Sequence, residues 1–321
     1  MIQVEGLTKT FTARRGKEKV EVAAVAGVDL HVDEGEIVGF LGPNGAGKTT
    51  TLRMLTTLLR PTAGTARVAG HDVAADPVAV RRAIGYVSQS GSTSPEARAG
   101  EEVVDHGMLY GISRAAAAAR ARELFAQLEL DGLWDRKPGA MSGGQRRRLD
   151  IAMGLVHDPR LVFLDEPTTG LDPQARANLW GHIADLRRVR GSTVFLTTHY
   201  LDEADALCDR ILVIDHGRIA AADTPDALKR QVAGDLVQLT VGAAADVEPA
   251  RAALAAAEPE EPPAVDGLHV SARVRGVAGR LPTLVRRLDE QGIVLAGIEV
   301  RRPTLDDVFL TVTGRSLRED A

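Results

Sequence analysis

The residues Gly42-Pro43-Asn44-Gly45-Ala46-Gly47-Lys48-Thr49-Thr50 carry the spacing G-x-x-x-x-G-K-[ST]. Glycines at those positions let backbone N–H groups turn inward around phosphate oxygens, and the helix start that follows adds its positive dipole end. Lys48 then suits the β/γ oxygens and the Thr49 hydroxyl suits Mg²⁺, so the chemistry on offer is nucleoside triphosphate binding. A second candidate is Asp165-Glu166, which follows the apolar run Leu161-Val162-Phe163-Leu164. A strand ending there delivers both carboxylates to the sheet edge beside the phosphates, Asp165 suited to Mg²⁺ and Glu166 to a base. Alone, a carboxylate pair after a strand reads as a helix-capping pair, and its position after the phosphate loop reverses that. A phosphate loop alone leaves kinases, GTPases and motor ATPases open.

The deciding element is Met141-Ser142-Gly143-Gly144-Gln145, shortly before the carboxylate strand. Here the chain resembles the ABC transporter ATPase family, whose signature is L-S-G-G-Q. The match is at Ser142, Gly143, Gly144 and Gln145, with Met141 as a near-isosteric apolar replacement of the leading Leu. A serine hydroxyl and exposed glycine N–H groups opening a helix make a second anion site with nothing in its own chain to bind. The resemblance implies that this site takes the γ-phosphate held by another subunit, two cassettes pairing head to tail. Gln89 looks like the family's Q-loop, Leu171-Asp172 like its D-loop and His199 like its switch histidine, all in the family's order.

The resemblance further implies roles. ATP and Mg²⁺ are the expected cofactors, with Thr49, Gln89 and Asp165 at the metal. Glu166 polarises the attacking water while His199 and Gln89 sense the γ-phosphate. Nucleotide contacts fall to residues 42–50, to Ser142, Gly143, Gly144 and Gln145 of the opposite cassette, to Asp172, and to Phe11, which stacks on adenine. Val25 reads as a ribose neighbour or as plain core.

These motifs need an α/β scaffold to position them. The β-rich segments 2–7 and 20–32 open the chain as an antiparallel layer, with the polar, basic insert 12–19 as a hairpin or loop. Residues 37–41, 161–164 and 193–196 are short apolar runs, each followed by a polar motif and a helix pattern, as buried parallel strands are. Helical spacing runs over 48–59 and, between the nucleotide motifs, from about 101 to 130. The expected architecture is therefore an ABC-type nucleotide-binding domain over 1–232, with a helical subdomain inserted at about 95–157. A small C-terminal α/β domain over 233–321 follows, with an acidic, proline-rich loop at 258–263.

Composition narrows the class. At 321 residues, 44% hydrophobic and 26% charged, the chain has room for one large domain and an appendage. A net charge of −5 supplies no basic field for a nucleic-acid backbone, so no nucleic-acid partner is expected. One cysteine, Cys208, excludes an internal disulfide and reads as a small buried hydrophobe. Arg146-Arg147-Arg148 reads as the solvated face of the signature helix. No apolar stretch reaches the roughly 18 residues of a membrane span.

The tail 301–310, with Thr313-Gly314, is similar to that of daunorubicin-resistance-type exporter ATPases, as are 52–55 and 57–61. That resemblance implies a separate multi-span permease, a second cassette (an identical copy, since the motifs are complete) and a peripheral position on the cytoplasmic face of the membrane. One departure is the polar stretch 90–100, where relatives carry an apolar residue. The alternative class is a soluble ABC-type ATPase acting on ribosomes or nucleic acid. Such relatives carry two cassettes or zinc modules; this chain has one cassette and one cysteine.

Overall fold

The structure is a computed structural model that describes residues 1–15, 18–232, 234–259 and 261–314. Residues 16 and 17 of the predicted insert, 260 of the proline-rich loop, and 233 and 315–321 of the predicted second domain lie outside the described residues. The chain divides into two compact units, the first ending at Pro225 and the second running from Asp226.

The first unit opens with β1 (Ile2–Arg15) and β2 (Glu18–Val32), paired antiparallel out to Arg15 opposite Glu18, so the described residues of the insert prolong both strands. Next come β3 (Ile37–Leu41), the phosphate-loop segment and α1 (Lys48–Leu55). Helical spacing to residue 59 overstates α1, because the chain turns left-handed at Thr57, with φ of 64°. After β4 (Ala63–Val68), β5 (His71–Asp72), α2 (Pro77–Ala83) and β6 (Ile84–Val87) come α3 (Ala99–Leu109) and α4 (Arg114–Gln127). The single helical stretch expected there is two helices. Gly111, with φ of 82°, ends the first, and the Ser113 hydroxyl accepts from Ala116 N at 3.3 Å to start the second.

Beyond them lie α5 (Gly143–Leu155), β7 (Leu161–Asp165), α6 (Pro173–Arg190), β8 (Thr193–Thr198), α7 (Leu201–Leu207), β9 (Arg210–Asp215) and β10 (Arg218–Asp223). Strands β3, β7 and β8 are buried along their whole length, which is why they are apolar without alternation. The six-stranded sheet has the order β10-β9-β3-β8-β7-β6, parallel except at β10, and the antiparallel sheet the order β2-β1-β4-β5. A shared core fills the space between them, with Val4, Leu7, Val25 and Val28 from one sheet and Phe40, Phe163 and Phe195 from the other. Val25 is fully buried, which settles it as core.

Register fixes the working edge. Leu41 lies opposite Thr198, Asp165 opposite Thr197, and Val87 opposite Leu164. Four parallel strands therefore end at one level, and the residues that follow each of them emerge on the same rim.

The second unit begins within α8 (Pro225–Gln231) and contains β11 (Asp235–Val241), α9 (Val247–Ala255), β12 (Ala264–Asp266), β13 (His269–Val274), α10 (Val277–Glu290), β14 (Leu295–Arg301) and α11 (Leu305–Thr313). Its sheet, of order β12-β13-β11-β14, is antiparallel, and it holds its own core of Val237, Leu239, Val270, Leu254 and Leu284. The three-residue β12, too short to show alternation, was not expected from sequence.

Candidate nucleotide site

The loop between β3 and α1 is packed too closely for side chains at two of its glycines. A Cβ at Gly42 would lie 2.3 Å from Ile214 O, and one at Gly47 would lie 2.5 Å from Ala24 O. Gly47, with φ of 107°, is also the N-cap of α1 and has no side-chain cap, so the first amides of that helix are free for an anion. Lys48 is 4% exposed and turns back into the loop. Its ammonium donates to Gly42 O at 2.7 Å and Pro43 O at 3.1 Å, and stands 3.4 Å from Glu166 Oε1. Burial lowers its pKa, and the nearby Glu166 opposes that shift.

Glu166 follows β7 in the left-handed region, with φ of 44°, an uncommon conformation for a residue with a side chain. Its N–H is held by Thr197, through the carbonyl at 3.1 Å and the hydroxyl at 3.0 Å. Four side chains converge on the carboxylate. Gln89 Nε2 donates at 2.9 Å and Thr169 Oγ1 at 3.2 Å, His199 Nδ1 lies 3.3 Å away as a charge contact, and Lys48 completes the set. Burial alone raises the Glu166 pKa, but His199, Lys48 and Thr169 together outweigh it and hold the group at about 2. Glu166 is therefore a carboxylate with its charge committed to the cradle.

Asp165 is 1% exposed and accepts from Thr197 Oγ1 at 2.7 Å and from Thr49 Oγ1 at 3.2 Å. Thr49, Asp165 and the amide oxygen of Gln89, whose nitrogen is already engaged, form a small set of hard oxygen donors. That set fits Mg²⁺, which takes one or two carboxylates and completes its shell with phosphates and water.

The remaining predicted residues lie elsewhere. Ser142 caps α5 by a reciprocal box in which its hydroxyl accepts from Gln145 N at 3.2 Å and Gln145 Oε1 accepts from Ser142 N at 3.0 Å. Ser142 and Gly143 are exposed, with Gly143 facing Leu171 and Gly144 facing Ala175. Asp172 caps α6 by accepting from Ala175 N at 2.9 Å. Phe11 is 41% exposed on β1, with Lys9 Nζ 5.3 Å from its ring centroid. Among the described residues, no hydrogen bond or ion pair joins Phe11, Asp172 or 142–145 to Lys48, Asp165 or Glu166.

One expectation is wrong. Arg147 is not on a solvated face: it is 7% exposed, and its guanidinium donates to Pro167 O, Ser88 O and Asp165 O at 2.8, 2.5 and 3.0 Å. Arg148 is largely covered too, bonding Asn178, which leaves Arg146 alone as exposed. Three like charges in a row gave no signal, because burial depended on which carbonyls the β7 end would present. Thr197 was likewise missed: every residue of β8 is buried, and only the register places this one against Asp165.

Fold and site together define a phosphate-loop ATPase whose signature turn, with Ser142 and Gly143 exposed, makes no hydrogen bond to the cradle among the described residues. A family model described as ABC transporter matches residues 25–169. The doxorubicin resistance ATP-binding protein DrrA of Mycobacterium tuberculosis is 42% identical over 315 residues, covering 97% of this chain and 93% of that protein. The daunorubicin/doxorubicin resistance ATP-binding protein DrrA of Streptomyces peucetius is 42% identical over 98% of this chain and 92% of its own length. The Nod factor export ATP-binding protein I of Burkholderia lata is 37% identical, covering 92% of this chain and 93% of that protein. Among solved structures, a dimeric post-hydrolysis state of an ATP-binding cassette bound to ADP and Pi matches with a TM-score of 0.63 and 28% identity. It covers 70% of this chain and 98% of that one. The chain belongs to the ABC transporter family, as an ATP-binding subunit that hydrolyses ATP to drive transport.

Proposed function

We propose that this subunit powers export of a drug or antibiotic through a separate multi-span permease, working as a homodimer at the cytoplasmic face of the membrane. The observation that carries the export reading is that similarity to drug-resistance ATP-binding proteins runs through 97% of the chain, not through the cassette alone. No helix among the described residues is long and apolar enough to cross a membrane, and this reading assigns the path to the separate permease. In this reading 1–232 is the ATPase and 233–321 an accessory domain.

Hydrolysis follows from the residues that meet at the sheet rim. ATP phosphates take the loop amides and Lys48 Nζ, drawing the ammonium off Glu166. Freed of that charge, Glu166 regains basicity and accepts a proton from the attacking water, which Gln89 and His199 hold in line. Thr49, Asp165 and Gln89 would hold Mg²⁺, which supplies charge neutralisation on the β- and γ-oxygens when bound. The exposed Ser142 and the half-buried Gly144 close on the ATP of the second copy, and Phe11 offers its open ring to adenine.

The test is to isolate the tagged protein from membranes of its native host. Co-purification of a multi-span protein that stimulates ATP hydrolysis is the expected result. Recovery with ribosomes or nucleic acid would instead favour the soluble ATPase reading.

A further inference from the structure

Arg147 is a buried cation whose three hydrogen bonds all go to backbone carbonyls. No described carboxylate forms an ion pair with it. Leaving a charge in the interior is costly, so the site must satisfy it fully, and three carbonyls meet a planar fork of N–H donors. The identity of those carbonyls is the point. Asp165 O and Pro167 O flank Glu166, and Ser88 O directly precedes Gln89, which donates to Glu166 at 2.9 Å. Arg147 itself sits in the second turn of α5, two residues after Gln145, whose amide and side chain fasten Ser142. One guanidinium thus ties together the signature turn, the two ends of the peptide carrying Glu166, and the start of the Gln89 loop.

We infer that Arg147 is a positioning residue that joins the signature turn to Glu166 and Gln89 as one rigid unit, so that nucleotide in a chain's own cradle sets the signature turn it presents to a second copy. This rests on the reading that two copies close over ATP. Gln89 and Glu166 respond to the γ-phosphate in the cradle. Any shift of the backbone at 88 or 165–167 must carry Arg147, and with it α5, because the fork cannot release one carbonyl without leaving it and an N–H unpaired. Arg148, one residue on, serves as the internal control: it bonds Asn178 and pairs with Glu129, with no described hydrogen bond or ion pair to Asp165, Glu166 or the carbonyls that flank them.

The experiment compares the full-length wild type with Arg147→Lys and Arg148→Lys. Lysine keeps the charge but offers a single ammonium that cannot span three diverging carbonyls. For Arg147→Lys the expected result is ADP affinity in chelator within twofold of wild type, a kcat for ATP lowered at least tenfold, and a Hill coefficient for ATP reduced to about 1. Arg148→Lys is expected to match wild type in all three. The inference is overturned if Arg147→Lys retains wild-type kcat and Hill coefficient, or if ADP affinity and melting temperature fall in step with kcat, the mark of a merely structural role. A wild-type chain that failed to hydrolyse ATP would sink the two-copy reading instead, and so is distinguishable.

Should Arg147→Lys not fold, hydrogen exchange on dilute wild-type chain decides. A non-hydrolysable ATP analogue, which carries the γ-phosphate that Gln89 and Glu166 answer to, is expected to slow amides across 143–149 as well as those of the cradle. Unchanged exchange at 143–149 would refute the coupling.

Discussion

Replacing Glu166 with Gln separates the two jobs assigned to that carboxylate, catalysis and charge balance. Without nucleotide, Lys48 is compensated chiefly by Glu166 Oε1 at 3.4 Å, and at an effective dielectric of about 20 that attraction is about 5 kcal/mol. An incoming diphosphate must displace this interaction and then lie near a second anion. A large part of the roughly 5 kcal/mol is regained in contacts that Lys48 makes with phosphate. If roughly a third to a half remains as net opposition, its removal tightens ADP binding by about tenfold to a hundredfold. The glutamine keeps an acceptor for Gln89 Nε2, so the pocket itself is preserved. Calorimetric titration with ADP in chelator isolates the charge effect, because neither hydrolysis nor metal contributes. The nucleotide-free variant is expected to melt below wild type, since Lys48 loses its counter-charge, and to gain more from ADP than wild type does. Equal or weaker ADP binding by Glu166→Gln would refute the argument that Lys48 is held in reserve by this carboxylate.

Three further outcomes follow from other parts of the structure. Thr197→Val removes the hydroxyl that donates to Asp165 Oδ1 at 2.7 Å, and Mg²⁺ affinity measured by metal titration of ATPase activity is expected to fall roughly tenfold to a hundredfold, with ATP affinity in chelator nearly unchanged. Glu203 is fully buried and receives Trp180 Nε1 at 3.2 Å, and burial pushes its carboxyl up. The native state therefore keeps a proton that the unfolded chain has lost. That stabilisation is complete below the ordinary carboxylate range and disappears as pH rises through the raised value, so wild type should lose stability relative to Glu203→Gln as urea midpoints are taken upward from pH 4.5; the opposite trend would contradict the burial argument. Gly39→Ala would place a Cβ 2.6 Å from Cys208 Sγ and is expected to cost roughly 1 to 3 kcal/mol in denaturant unfolding. Cys208→Ala in the same chain should recover most of it, a coupling that additive losses would rule out.

The sequence by itself determined what depends on neighbours along the chain. The phosphate loop reads because G-x-x-x-x-G-K-T must be contiguous to wrap a phosphate, and the signature at 141–145 because its serine and glycines are adjacent at a helix start. Strands β3, β7 and β8 show as unbroken apolar runs because both their faces are covered. The same locality explains the misses. Helical spacing continued through Thr57 and through residues 110–113, where single backbone turns end the helices.

Only the tertiary structure decided which distant groups meet. Glu166 gathers Lys48, Gln89, Thr169 and His199, separated by as many as 118 positions from one another in partner and carboxylate, because β3, β6, β7 and β8 end in register. Arg147 and Arg148 carry the same residue type in adjacent positions, yet one ties three carbonyls around Glu166 and Gln89 and the other a half-buried amide of α6. That difference is set by a rotation of about 100° per residue around α5, measured against a sheet edge that no local pattern encodes.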